Sequence, residues 1–143
     1  LLDFVEEQSF QWPELTVMET GGMKGRRKEM IRSELHSILK EGFRVKEIHS
    51  EYGMTELLSQ AYSAGNGIYQ CPPWMKVSTR DSVDPFGSAN LGQSGGLNII
   101  DLANINSCAF IATDDLAKVY EDGSFEVLGR FDSAEVRGCN LMI

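Results

Sequence analysis

The chain has 143 residues, 42% of them hydrophobic and 24% charged, enough for one sizeable core and ordinary for a globular protein. Its 21 acidic against 13 basic side chains leave a net charge of −8, whereas a nucleic-acid partner demands a basic face. No apolar run approaches the roughly 18 residues of a membrane span, and no charged-then-apolar leader opens the chain, so a cytoplasmic protein is expected.

Leu1 to Phe10 reads as a helix or its tail, with Leu1, Phe4 and Val5 on one face. Glu14 to Glu19 is short and apolar, a buried strand broken by Thr20-Gly21-Gly22. Lys24 to Gly42 is the clearest helix: Met30, Ile31, Leu35, Ile38 and Leu39 recur at the spacing of one apolar face. Gly42 falls where a helix C-terminal glycine is expected. Val45 to His49 is the next strand, leading toward a loop at Tyr52 to Glu56. Strand, helix, strand is a βαβ unit, and such units make parallel sheet.

After Ala64 the helical periodicity fades. Short β-rich runs follow at Ile68 to Cys71, Met75 to Arg80, Gly96 to Leu102, Ala109 to Thr113, Ala117 to Tyr120 and Ser124 to Leu128. Glu121-Asp122-Gly123 is a hairpin signal, and Asp81 to Gly96 reads as a long loop rich in Gly, Ser, Asn and Pro. The expected fold class is α/β (α+β). A βαβ layer with parallel strands over residues 1–63 feeds a small antiparallel sheet or barrel over residues 64–143.

The stretch Ser50 to Glu56 joins a turn-forming Gly53, the Thr55 hydroxyl and the Glu56 carboxylate just beyond a strand. Such a loop can aim the hydroxyl at a phosphate and the carboxylate at a Mg²⁺ ion. A plainer reading makes Thr55 the N-cap of a following helix and Glu56 a partner of its dipole. The two are compatible, because a capped helix N-terminus is itself an anion site. Gly21 and Gly22 also follow a strand, and lacking Cβ they let a ligand approach the backbone; a simple strand-to-helix turn explains them equally. Ligands of open α/β sheets gather beyond the carboxyl ends of strands, so both turns are expected to line one crevice.

Cys71, Cys108 and Cys139 are an odd set without metal-type spacing, so reduced thiols are expected. Cys71 and Cys108 fall in apolar strand contexts and read as structural. His36 is expected to face solvent from its helix, and His49 to be packed beside the Tyr52 loop. Lys24-Gly25-Arg26-Arg27-Lys28 reads as a solvated helix face.

Tyr52-Gly53-Met54-Thr55-Glu56, then Thr113-Asp114-Asp115, then Asp122-Gly123, then Gly129-Arg130-Phe131-Asp132 form an ordered series. The series resembles the nucleotide-binding half of the adenylate-forming superfamily: acyl-CoA synthetases, peptide-synthetase adenylation domains and luciferase. That family's order is Tyr-Gly-x-Thr-Glu, Thr-Gly-Asp, an Asp-Gly hairpin and Gly-Arg-x-Asp. Asp114 departs from it by standing in place of Gly. A narrower similarity, through Glu19-Thr20-Gly21-Gly22 and Glu135-Val136-Arg137-Gly138-Cys139, is to the acyl-protein synthetase of bacterial luminescence systems, a long-chain fatty acid–protein ligase. The central motifs are also similar to those of phenylacetate–CoA ligases.

The resemblance implies ATP and Mg²⁺ as cofactors and a fatty acid or other carboxylic acid as substrate. It assigns the phosphate-contacting hydroxyl to Thr55, the Mg²⁺ carboxylate to Glu56 and adenine stacking to Tyr52, with Gly53 shaping the loop. Gly21 and Gly22 would border the adenine and acyl pockets. Asp115 would hold the ribose hydroxyls, with Asp114 as the alternative ligand, and Arg130 would reach ribose or phosphate. Without the resemblance, Asp115 is turn chemistry and Arg130 a surface ion-pair partner of Asp132 or Glu126. Asp132 falls at the family's hinge.

Cys139 would accept the acyl group as a thioester for delivery to an acyl-reductase or acyltransferase partner, Arg137 helping to form its thiolate. Otherwise Cys139 is a small semi-buried hydrophobe. The family's Ser/Thr/Gly-rich phosphate loop lies upstream of these motifs, and the chain opens on Leu1 rather than Met. A C-terminal piece of a longer enzyme is therefore expected, inactive in isolation. An acyl-CoA ligase and a non-catalytic nucleotide-binding domain are the alternatives. Trp74, Met75 and Phe86 are expected to contribute to an acyl pocket.

Overall fold

A computed structural model describes residues 1–7, 14–21, 30–84 and 86–131. The chain opens with α1 (Leu2–Glu7) and β1 (Val17–Glu19), followed by α2 (Arg32–Phe43) and β2 (Ile48–Tyr52). β1 and β2 are parallel, with Val17 opposite Ile48 and Glu19 opposite Ser50, and α2 is the crossover between them. The expected βαβ unit is therefore present. Leu39, Phe43 and Ile48 pack with Leu2 and Val17 into one apolar cluster, because the helical spacing of α2 turns its apolar residues toward the sheet.

Besides the start of α2, which is Arg32 with Ile31 as an exposed N-cap and Met30 outside the helix, three local details differ from the sequence reading. First, α2 ends not at Gly42 but at Arg44, whose backbone is left-handed (φ 55°, ψ 38°), with the Val45 amide donating back to Lys40 O at 3.2 Å. Gly42 lies within the last turn for a different reason. A Cβ there would stand 2.5 Å from the Val5 Cβ, so the glycine lets α1 lie against α2. Second, His36 faces inward and is buried. Third, β2 runs three residues later than expected, since Val45 and its neighbours are used in leaving the helix. Tyr52 is consequently the last residue of a strand rather than the first of a loop.

β3 (Ala61–Ser63), too short to carry a visible alternation, pairs antiparallel with β2. The remaining strands are β4 (Ile68–Tyr69), β5 (Met75–Arg80), β6 (Ser94–Asp101), β7 (Phe110–Val119) and β8 (Phe125–Arg130). They form an antiparallel sheet in the order β4-β8-β7-β6-β5. The architecture is thus an α/β layer feeding a small antiparallel sheet. β7 is one strand of 10 residues where the sequence suggested two runs, since Asp114 and Asp115 continue the strand. Register shifts at Gly96/Asn98 and Leu116/Ala117 bend the sheet on either side of that acidic pair.

The expected hairpin joins β7 to β8. Gly123 takes φ 80°, its amide donates to Tyr120 O at 3.0 Å, and the Asp122 carboxylate accepts from the Ser124 amide and hydroxyl. A second apolar cluster fills the space between the layers. Tyr52, Leu57 and Ala61 come from one side, and Tyr69, Val77, Leu97, Ile99, Ala117, Val119 and Phe125 from the other. Among the described residues no helix is long and apolar enough to cross a membrane.

Candidate nucleotide site

β2 ends by delivering Tyr52 into the core. Its ring is edge-on to Phe125 (5.5 Å between centroids) and to Tyr69 (5.9 Å), and only 9% of the residue is exposed. Little of its face is left for a base to stack on. Its hydroxyl, however, emerges at the far side of the cluster and donates to Asp115 Oδ2 at 2.6 Å. Burial, reinforced by that hydrogen bond, holds the phenol far above the ordinary tyrosine range. The proton therefore stays on Tyr52, and Asp115 is the acceptor.

β7 presents Asp115 by simple alternation. Thr113 and Asp115 share a strand face, the Thr113 hydroxyl donates to Leu97 O at 2.9 Å, and Thr113 Oγ1 itself accepts from the Asp115 amide at 3.1 Å. Asp114 points the other way, its side chain 64% exposed against 17% for Asp115. Opposite Asp115 in the ladder stands Arg130. Its Nε lies 3.7 Å from Asp115 Oδ1 and its Nη2 lies 3.6 Å from Asp114 Oδ2. Segments carrying Tyr52, Asp115 and Arg130 thus converge on one carboxylate.

Thr55 and Glu56 are exposed on a turn closed by the Leu57 amide donating to Met54 O at 3.1 Å. No helix follows, so the N-cap reading of Thr55 is corrected: the residues beyond Glu56 run into β3. Two side chains that the sequence did not single out hold this turn. The fully buried Asp101, at the end of β6, accepts from the Leu58 amide (3.0 Å), the Ser59 amide (2.9 Å) and the Ser59 hydroxyl (2.7 Å). Burial alone would raise its carboxyl, but these donors and the Ala103 amide outweigh it and hold the group below the usual range. Asn104 donates to Glu56 O at 2.7 Å and to Cys108 O at 2.9 Å.

Gly21 follows β1 as Thr55 follows β2, beyond the carboxyl ends of neighbouring parallel strands. It adopts φ 89°, and its amide donates to Glu19 Oε2 at 3.1 Å. Glu19 Oε1 in turn lies 3.5 Å from His36 Nε2 and 3.8 Å from Arg32 Nε. Arg32 also covers the Tyr69 ring at 5.4 Å, which links the glycine turn to the aromatic cluster around Tyr52. Gly22, Asp132, Arg137 and Cys139 lie outside the described residues.

Other expectations meet mixed outcomes. Cys71 is half-buried, and burial pushes its thiol up to about 11. Cys108 is exposed in the β6–β7 connection rather than packed in a strand. Met75 is buried in the core, whereas Phe86 is 98% exposed and Trp74 is half out, its indole N–H on the Ser59 hydroxyl at 2.9 Å. A cleft of about 370 Å³ runs past Cys71, Met75, Val77, Val119 and Tyr120, by the turn of the β7–β8 hairpin and away from Asp115. Among the described residues no three acidic, His or Cys side chains gather as a metal cage. The single exposed carboxylate of Glu56 suits Mg²⁺, an ion held largely by phosphates and water.

No protein-family model matches the chain, and no curated protein does. Solved structures do. The chain is similar to ATP-bound MatB from Rhodopseudomonas palustris, with TM-score 0.55 and 16% identity over 90% of this chain and 32% of that one. It is similar to McyG A-PCP complexed with phenylalanyl-adenylate, with TM-score 0.61 and 17% identity over 92% and 28%. A benzoate CoA ligase from Burkholderia xenovorans LB400 aligns with TM-score 0.52 and 17% identity over 81% and 26%. The chain spans about a third of the length of the first of these (32%). Its fold is similar to that of these structures over the part of their length that it covers.

Proposed function

We propose that the chain is part of an ATP-dependent acyl-activating ligase. The hydrogen bond between Tyr52 and Asp115 carries this reading, because it joins two motifs 63 residues apart at one carboxylate. The similarity to structures holding ATP and phenylalanyl-adenylate supports it. In this reading Asp115 accepts the ribose hydroxyls, Tyr52 holds that carboxylate in place through its hydroxyl, and Arg130 lies alongside. Gly21 and Gly22 border the adenine. Thr55 donates to phosphate from a turn that Asp101 and Asn104 hold rigid. Glu56 would hold Mg²⁺, which supplies charge neutralisation on the phosphates when bound.

A carboxylate oxygen of the substrate attacks the α-phosphorus of ATP, the bond to the β-phosphate breaks, and acyl-AMP and pyrophosphate result. In the protein-ligase form of the reading, the Cys139 thiolate then attacks the acyl carbon and expels AMP, which leaves a thioester on the enzyme. A fatty acid is the substrate in that form, and a reductase or acyltransferase receives the product. The second reading, with coenzyme A as the acyl acceptor, is favoured by the benzoate CoA ligase among the similar structures.

The test uses the full-length protein with radiolabelled fatty acid and ATP. Wild type is expected to exchange pyrophosphate into ATP and to retain label through a hydroxylamine-sensitive bond, and Cys139→Ser to exchange without retaining label. Absence of exchange in wild type overturns the ligase reading. Equal retention by the variant overturns the acceptor role of Cys139.

A further inference from the structure

We propose that Arg80 is a positioning residue for the ribose end of the nucleotide site, an inference that rests on Asp115 being the ribose ligand. The Arg80 guanidinium leaves the end of β5, crosses β6 and reaches β7. Nη1 donates to Leu97 O at 3.2 Å and to Asn98 Oδ1 at 2.9 Å, while Nη2 donates to Thr113 O at 2.6 Å. The same group covers the Phe131 ring, its Cζ 5.7 Å from the centroid.

The contacts with Leu97 O, Thr113 O and Phe131 lead to the site within one or two bonds of the network. Leu97 O is the acceptor that the Thr113 hydroxyl also uses, and that hydroxyl receives the Asp115 amide at 3.1 Å. Phe131 follows Arg130, and its amide donates to Asp114 O at 3.0 Å. One side chain therefore fixes the β7 segment that presents Asp115 and the β8 end that presents Arg130. The planar fork of arginine can serve three acceptors and a ring face together; a lysine ammonium cannot.

Gly96 completes the arrangement. A Cβ on Gly96 would lie 2.5 Å from Arg80 Cζ and 2.7 Å from Nε, and the three nearest atoms all belong to Arg80. Since these atoms are the mobile end of a long side chain, Gly96→Ala displaces the guanidinium while leaving the backbone with an ordinary residue to accommodate.

The experiment compares ATP with 2′-deoxy-ATP by calorimetry on the full-length protein, its Arg80→Lys variant and its Gly96→Ala variant, with melting curves to confirm folding. Wild type is expected to prefer ATP by about tenfold, the worth of one well-placed hydrogen bond. Both variants are expected to cut that preference to about twofold by weakening ATP more than the deoxy form. A merely structural role would weaken both nucleotides alike. Folded variants that keep the wild-type ratio overturn the role of Arg80; if Arg80→Lys does not fold, Gly96→Ala decides. A wild type without preference overturns the ribose assignment of Asp115 itself, and the role of Arg80 falls with it.

Discussion

The Tyr52 hydroxyl stands 2.6 Å from Asp115 Oδ2, so the last residue of a strand in the parallel layer meets the middle of a strand in the antiparallel sheet through one proton. Tyr52→Phe removes that proton and leaves the aromatic packing intact. We expect a stability loss of about 1 kcal/mol and roughly tenfold weaker ATP binding, as the Asp115 carboxylate loses its fixed orientation. Melting curves and calorimetry check the two numbers separately. A variant that binds ATP as wild type does would show that Asp115 is held well enough by β7 alone.

Asp101 is the anchor of the turn that carries Thr55 and Glu56. Asp101→Ala leaves three backbone amides and a hydroxyl without their acceptor at a buried or part-buried position, so a loss of about 3 kcal/mol or more is expected. The pH dependence follows from the lowered carboxyl. A carboxylate whose folded-state pKa lies below its unfolded value stabilises fully above the unfolded pKa. That contribution disappears as pH falls through the folded value. Denaturant midpoints measured from pH 7 down to pH 3 should therefore fall less steeply in Asp101→Asn than in wild type. Parallel curves would assign the acid sensitivity to other groups.

How much could be read from residues in a row? The Leu35, Ile38 and Leu39 part of the α2 stripe, β5 and the Asp122-Gly123 hairpin rest on neighbours within a few positions and stand where periodicity or turn chemistry placed them, whereas Met30 and Ile31 precede the helix and Ile31 is exposed. Gly42 misleads because one residue type serves two purposes, helix termination and close helix approach. β7 looks like two runs because two adjacent carboxylates resemble a break until a partner strand is in view. Asp101, Asn104 and Arg80 could not be identified at all. Their partners are 42, 48 and 33 residues away, and nothing in their own surroundings marks them.

Gly42 makes a direct packing prediction. Gly42→Ala places a methyl 2.5 Å from the Val5 Cβ, and α1 must shift or detach. A loss of about 1–3 kcal/mol is expected, despite the better helix propensity of alanine. Combining it with Val5→Ala, which removes the Cγ atoms 2.8 and 3.0 Å from that methyl though not the Cβ, should recover part of that loss, so the double mutant should be less destabilised than the sum of the singles. Strict additivity would mean that the two helices do not touch there in solution.

Thiol reactivity separates two cysteines that the sequence treated alike. Cys108 is exposed, whereas Cys71 is half-buried with its thiol pushed up to about 11. Only the thiolate is nucleophilic. Timed iodoacetamide labelling at pH 8, followed by peptide mass spectrometry, should modify Cys108 well before Cys71. Equal rates would place Cys71 in a more open setting.

The pairing of β4 with β8 has a consequence for how the molecule assembles. Ile68 meets Glu126 across a long span of chain, whereas β5 through β8 join as successive neighbours. Closing so large a loop is entropically slow compared with forming adjacent hairpins. The meander of β5 to β8 should therefore acquire amide protection early in refolding, and the union that seats Tyr69 beside Phe125 should come late. During synthesis, the Asp115 carboxylate on β7 would leave the ribosome well after the tyrosine that must find it, which makes their meeting one of the last events in the life of the nascent chain.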